Sequence, residues 1–216
     1  MKVLGVSGSP IENSNTDRAL KIALAATGAK TEFYKLSEYT IASCTACLGC
    51  RETNICVQKD DGIMLAEKAY KADALIIAGF TPYSSIDSRT KTFMERLYPL
   101  HHRHGLMNGK PGGAIVTCGI PPGHEGMPPA CENGVDAIRN YMLAEAMNYI
   151  GSVHIPGNVP CVACGQEGQC GVSALKLLFG KDATPENVKI NTVEGNPSAI
   201  AALEKLGEDI VEAYYG

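Results

Sequence analysis

Tryptophan is absent from this 216-residue sequence, and only 6% of its residues are aromatic. A flat ligand bound here must stack on something other than an indole. There is no long basic run and the formal net charge is −4. Both features argue against nucleic acid as a partner. No apolar run approaches the ~18 residues that a membrane span needs. Met1 to Gly8 has no signal-peptide layout and reads directly as a first strand. The expectation is a cytoplasmic protein with no membrane partner. Neither the G-x-G-x-x-G fingerprint nor a Walker A loop occurs. There is no internal repeat and no low-complexity segment.

What the sequence has in excess is cysteine, nine in all. In a reducing compartment that number points to metal or redox chemistry rather than a disulfide framework. Four of them, Cys44, Cys47, Cys50 and Cys56, lie within thirteen residues, spaced C-x2-C-x2-C-x5-C. Packing alone does not call for that density, whereas thiolates are natural ligands of soft metals and iron–sulfur clusters. Tetrahedral zinc also takes four thiolates, but structural zinc sites usually use two separated C-x2-C hairpins. Consecutive C-x2 steps are the form that iron–sulfur sites take. Zinc, and thiols that are merely buried, remain the alternatives.

Apolar periodicity predicts a βαβαβαβαβα order over a single domain, 1–216. Residues 3–6 and 74–80 read as buried strands, 113–118 as another, and 30–36 and 151–159 as more polar ones. Helices are expected from about Asn15, from about 62, over 87–98, over 132–150 and from Pro197 after an Asn196 cap. The inward face of the first helix would be Ala19, Leu20, Ala23, Leu24 and Thr27. That of the last would be Ile200, Leu203, Leu206, Ile210 and Tyr214. The fold class is α/β, a flavodoxin-like doubly wound five-stranded parallel sheet of order 2-1-3-4-5. Its two polar strands, the second and fifth, lie at the edges. The cysteine-rich insertion occupies 37–60, and a second cysteine-containing loop, 160–196, precedes the last helix. In such a sheet the β-to-α loops at 7–15, 37–60, 81–86, 119–131 and 160–196 all open on one rim.

The first of these loops carries Ser7, Ser9, Ser14, Asn15 and Thr16 at the start of a helix. It offers hydroxyls, amides and free backbone N–H groups, an anion site of the kind that holds a terminal phosphate. The loop has no Lys or Arg, which suits a monophosphate held by hydrogen bonds and the helix dipole. An ordinary capped helix start is the alternative. Pro82, Tyr83, Ser84 and Ser85 form a turn beside it, where a flat ring can stack on Tyr83 and take backbone N–H bonds. Thr117 and Gly119, in the stretch 117–123, close the pocket from the other side. Taken singly, Tyr83 also suits an edge tyrosine.

Gly8, Ser9 and Pro10 followed by Ser14, Asn15 and Thr16, with Thr81, Pro82, Tyr83, Lys91, Phe93, Met94 and Arg96 in register, resemble the NADPH-dependent FMN reductase family. The cysteine spacing set on that frame resembles the iron–sulfur flavoproteins of anaerobic microbes. The resemblance covers roughly residues 1–150. It implies FMN at the rim loops, a [4Fe–4S] cluster on Cys44, Cys47, Cys50 and Cys56, and a homo-oligomer, dimer or tetramer. The function implied is electron transfer from a one-electron donor such as ferredoxin, through cluster and FMN, to a two-electron acceptor: a quinone, dioxygen or peroxide. An NAD(P)H-dependent FMN or quinone reductase is the alternative enzyme, and a thiol–metal redox sensor the non-enzymatic one. The cysteine loop is rooted at an edge strand, so it can fold over its own flavin or reach a partner's. The resemblance favours the partner's.

Other chemistry-bearing residues fit blander roles. Cys161, Cys164 and Cys170 read as thiols packed in a loop, with a redox pair, or a second metal shared with Cys118 or Cys131, as the alternatives. His101, His102 and His104 read as a solvated connection on the opposite side of the sheet. His124 lies near the pocket and is a candidate proton donor to the flavin. Lys91 and Arg96 read as surface charges or packing.

Overall fold

The computed structural model describes residues 1–166 and 169–216. Of the predicted 160–196 loop, Glu167 and Gly168 therefore lie outside the described residues. Five parallel strands, β1 (Lys2–Ser7), β2 (Lys30–Lys35), β3 (Ala74–Phe80), β4 (Pro111–Cys118) and β5 (Asn148–Pro156), pair in the order β2-β1-β3-β4-β5. The central strands bury both faces, as crossover helices on each side require. β2 and β5 lie at the edges and are half-exposed.

Helices cover the two faces. α1 (Asn15–Ala26) and α7 (Pro197–Tyr215) pack on one side, against Val3, Ile76, Ala78, Ile115 and Val153. α2 (Gly62–Lys71), α3 (Ser88–Arg96) and α4 (Ala130–Ala144) pack on the other, against Leu4, Val6, Leu75, Ile77, Ala114 and Val116. On α1 all five predicted inward residues are buried. α7 and α1 approach so closely that a Cβ on Gly207 would sit 2.3 Å from the Ala23 carbonyl oxygen.

The 132–150 helix is shorter than its periodicity suggests, because α4 ends at Ala144. Ala146 turns left-handed (φ 54°), and the Met147 N–H bonds back to Met142. The chain then enters β5 at Asn148, three residues before the predicted strand, and Tyr149 pairs with Gly112. The cysteine-containing segment after β5 carries two short helices that periodicity did not reveal, α5 (Cys161–Cys164) and α6 (Ala174–Phe179, capped by Ser173). On α7, Leu203, Leu206 and Ile210 are buried as expected, whereas Ile200 is half-buried and Tyr214 exposed.

Candidate functional site

The rim loops of β1, β3 and β4 come together at the switch point of the sheet. The Gly8 N–H donates to the Ala78 carbonyl at 2.9 Å, tying the first loop to β3. A Cβ at Gly8 would lie 2.0 Å from Thr90 Oγ1 and 2.6 Å from Asp87, so only glycine permits this approach. Thr16 Oγ1 donates to Thr117 Oγ1 at 3.0 Å, joining the first loop to the end of β4. Asp87, itself buried, caps α3 by accepting from the Thr90 N–H (2.9 Å) and hydroxyl (2.7 Å).

Within the first loop, Ser14 and Asp17 form a reciprocal capping box at the start of α1. The first-turn amides of Asn15 and Thr16 have no carbonyl partner inside the helix and mark the anion-binding end. The Asn15 side chain is spoken for. Its Nδ2 donates to Asn191 O at 2.9 Å, and its Oδ1 accepts from Val193 N and Arg18 Nη2. Ser7 donates to Asp17 at 2.5 Å and Ser9 accepts from the Ile11 N–H, so both hydroxyls brace the loop.

Two residues of this loop's foundation escaped the sequence reading. Asp17 and Lys35 form an ion pair at 2.5 Å with side chains only 2% and 9% exposed. Lys35 also donates to the Ile11 carbonyl at 2.8 Å. The loop itself has no cation, yet Lys35 reaches it from β2, and Arg18 reaches Asn13, Asn15 and Glu194 from α1. The S-x-x-D capping pattern could have identified Asp17. No local signal marks Lys35.

Beyond β3, Tyr83 and Ser84 are both left-handed, with φ 51° and 56°. Two successive non-glycine residues in that region are costly and persist only where the surroundings impose them. The Tyr83 ring is fully exposed at the rim. Asn133 of α4 pins the turn by donating to the Ser84 carbonyl at 3.0 Å. Thr81 Oγ1 is buried without a hydrogen-bond partner, an acceptor and donor left for something else to satisfy.

The cysteine stretch lies between β2 and α2, as its topology predicts. Cys44, Cys47, Cys50 and Cys56 line one small cavity of about 20 Å³, whose wall is completed by other residues of the cysteine loop and by Glu95, Arg96, Tyr98 and Pro99. No residue of the 7–16, 81–85 or 117–119 loops lines it. The loop thus packs on the C-terminal end of α3, with its thiols apart from the flavin-side loops of the same subunit. Two acids at the start of α2 hold its ends. Asp60 accepts from the Ala42 N–H (2.9 Å) and Asp61 from the Thr40 N–H (2.7 Å). Asn54 clamps its middle, donating to the carbonyls of Pro99 and His102, each at 2.7 Å. The histidine turn is solvated as expected, with His101 and His104 exposed, and its backbone also supports the cysteine loop.

Arg96 lies beneath the thiols and is 1% exposed, so it is neither a surface charge nor simple packing. Its two terminal nitrogens form a fork on Asp60 at 2.6 and 2.7 Å. One also donates to the Ala42 carbonyl (2.8 Å), the other to Cys56 Sγ (3.4 Å). The hydrogen bonds from Arg96 hold the Asp60 carboxyl below the usual carboxylate range, against the opposing effect of burial. Around the thiols the field is graded. The Gly49 backbone and the Thr45 side chain lower the pKa of exposed Cys47, while burial, then the neighbouring thiols, raise that of Cys50. The Ala46 N–H donates to Cys44 Sγ at 3.4 Å. Four sulfurs on one cavity, met by N–H donors and a guanidinium, are a donor set that suits a soft metal or an iron–sulfur centre. Among the described residues, no three His, Cys, Asp or Glu side chains close on a single point as they would around one ion.

The remaining cysteines sort differently from expectation. Cys118 and Cys131 are joined in a disulfide, with a Cα–Cα distance of 5.6 Å. They are thereby withdrawn from any metal shared with Cys161, Cys164 and Cys170, whose thiols are free. His124 is half-buried in the 119–129 loop. Among the described residues no helix is long and apolar enough to cross a membrane.

A family model described as NADPH-dependent FMN reductase matches residues 1–127. An iron–sulfur flavoprotein of Archaeoglobus fulgidus is 36% identical over 120 residues, 54% of each chain. The matched part thus spans about half of that relative's length. An iron–sulfur flavoprotein of Methanocaldococcus jannaschii is 30% identical over 154 residues, 70% of this chain and 76% of the other. Among solved structures, a flavodoxin from the domain Archaea superposes over 100% of both chains with a TM-score of 0.54 at 12% identity, a likeness of fold.

Proposed function

We propose, from the premise that the chain belongs to the iron–sulfur flavoprotein family within the NADPH-dependent FMN reductases, that it is a flavin-dependent electron-transfer oxidoreductase. Its cofactors are FMN and a [4Fe–4S] cluster. It works between a one-electron donor such as ferredoxin and a two-electron acceptor, a quinone, dioxygen or peroxide. The observation that carries this reading is the gathering of Cys44, Cys47, Cys50 and Cys56 on one cavity over Arg96. When bound, the cluster exchanges single electrons and FMN one or two, which couples the two kinds of partner.

The chain's own residues have separable tasks. The Asn15 and Thr16 amides hold the flavin phosphate, with Ser7, Ser9 and Ser14 bracing the loop and the Asp17–Lys35 pair beneath it. Pro82, Tyr83, Ser84 and Ser85 offer the ring a stacking face and N–H donors, and Thr117 and Gly119 close the other side. The four thiolates would bind the cluster, and Arg96 offsets part of their charge.

The eight residue steps of α3 from Ser88 at the rim to Arg96 beneath the thiols correspond to about 12 Å. Leu48, Ile55 and Val57 stand exposed on the cysteine loop. Both features support a homo-oligomer, dimer or tetramer, in which the thiols of one subunit face the flavin loops of its partner. Sedimentation measures that directly, and a monomer carrying both cofactors at full activity defeats it.

The test of the whole reading is anaerobic purification. The protein should be brown, with a broad band near ~400 nm beside the flavin peaks, and with iron and sulfide at about four per chain. A yellow, iron-free protein sinks the cluster, and a colourless protein the flavin as well. Cys50→Ser should keep flavin and lose iron. Normal reduction of that variant by ferredoxin would separate the thiols from electron entry.

A further inference from the structure

A second cavity adjoins the flavin side of the rim, sharing Gly119 with the proposed flavin pocket, and is separate from the four-thiol cavity. It has a volume of about 850 Å³ and opens between the ends of β4 and β5 and the segment 179–191. Pockets that take small ligands occupy about 300–1,000 Å³. Its wall contains both sulfur-bearing residues of the Cys118–Cys131 disulfide. Each of these cysteines is only 3% exposed. A reagent from solution therefore meets them through this cavity.

The rest of the lining is suited to an anionic visitor. Lys181 and Lys189 stand at the wall with His154, against the single carboxylate of Asp182. The lysines are exposed, so their charge attracts without being tied into the core. The disulfide is also built for turnover in place. Cys118 ends β4, and Cys131 is the second residue of α4, so both are anchored on rigid elements. Between them run twelve residues containing Pro121, Pro122, Pro128 and Pro129. Breaking the bond opens that ring without unfolding either anchor.

We propose that Cys118–Cys131 is a reversible thiol-exchange site, reached through the 850 Å³ cavity by a low-molecular-weight anionic thiol. In the forward direction the thiolate attacks one sulfur of the pair, forming a mixed disulfide and releasing the other cysteine as a thiolate. A second thiol then attacks the mixed disulfide. The net change is one protein disulfide plus two thiols giving two protein thiols, which take up the two protons, and one low-molecular-weight disulfide. The reverse reaction oxidises the pair. The site is independent of the cluster assignment, since none of its residues belongs to the four-thiol cavity, and it shares only Gly119 with the residues assigned to the flavin.

The experiment uses the protein with its cofactors, kept anaerobic, and glutathione as the probe. Samples at different ratios of reduced to oxidised glutathione are quenched in acid, alkylated and digested, and Cys118 and Cys131 are counted by mass spectrometry. The expected result is a reversible two-electron transition in which both cysteines change together. The Lys181→Ala/Lys189→Ala variant should react with glutathione at least about threefold more slowly, while its rate with neutral 2-mercaptoethanol stays at the wild-type value. Two free thiols at every ratio would overturn the proposal. So would a disulfide that reacts only after denaturation, or equal glutathione rates in wild type and variant.

Discussion

Replacing Arg96 by methionine tests the central electrostatic claim, that a buried guanidinium organises the cysteine loop. In the native chain Arg96 is 1% and the Asp60 side chain 13% exposed, and the two are joined by a fork of 2.6 and 2.7 Å. Methionine retains most of the stem's apolar volume. It leaves Asp60 as a nearly buried carboxylate with only the Ala42 and Gly62 N–H groups to satisfy it. Removing one partner of a buried pair costs about 3–5 kcal/mol. With a urea m-value of about 2 kcal/mol/M, the midpoint should fall by roughly 1.5–2.5 M. Asp60→Asn in the Arg96→Met background removes the stranded charge. The double variant should then recover at least ~1.5 kcal/mol relative to the sum of the single changes. Urea unfolding followed by circular dichroism measures all four species. An Arg96→Met loss within about 1 kcal/mol of zero, or strict additivity of the two changes, would refute the reasoning.

The remaining predictions address other parts of the molecule. Tyr83→Gly should raise stability by up to about 1 kcal/mol by relieving a left-handed tyrosine, while weakening FMN about tenfold through loss of the stacking face; thermal melts and fluorescence titration separate the two. Asn54→Ala deletes both bonds to the histidine turn and should release the cysteine loop, read as faster amide exchange over residues 44–56 with the sheet unchanged; equal exchange would place the clamp elsewhere. Burial raises the Glu145 pKa, partly offset by His101. A folded-state pKa above the unfolded value near ~4.3 means that the native state binds more protons, so stability declines as pH rises from there through the folded pKa. Glu145→Gln should flatten that slope in urea titrations between pH 4 and 7, and an unchanged slope would assign it to other groups.

Much of this architecture was legible in the chain because it rests on local periodicity. The run Ala74–Phe80 is apolar throughout and forms the strand it predicts, and the spacing on α1 selects its buried face correctly. Where prediction missed, a tertiary contact outweighed propensity. The helical pattern continues past Ala144, yet Tyr149 is held by its pairing with β4. The position of the cysteine loop after β2 follows from the chain order, but not what it packs against. The structure seats its thiols on the end of α3, because Asp60 is paired with Arg96 and Asn54 with the Pro99 carbonyl.

The polarity of the edge strands, the apolar faces of the helices and a thiol spacing suited to one soft-metal centre are all legible in the chain. Each of these follows from residues a few positions apart. Tertiary structure alone decided which distant groups meet. Arg96 lies 36 residues from Asp60, Lys35 18 from Asp17, and Cys131 13 from Cys118. Pairings at such distances are set by how helices seat on a twisted sheet and by the cost of leaving a buried charge alone. No residue announces its partner from sequence position.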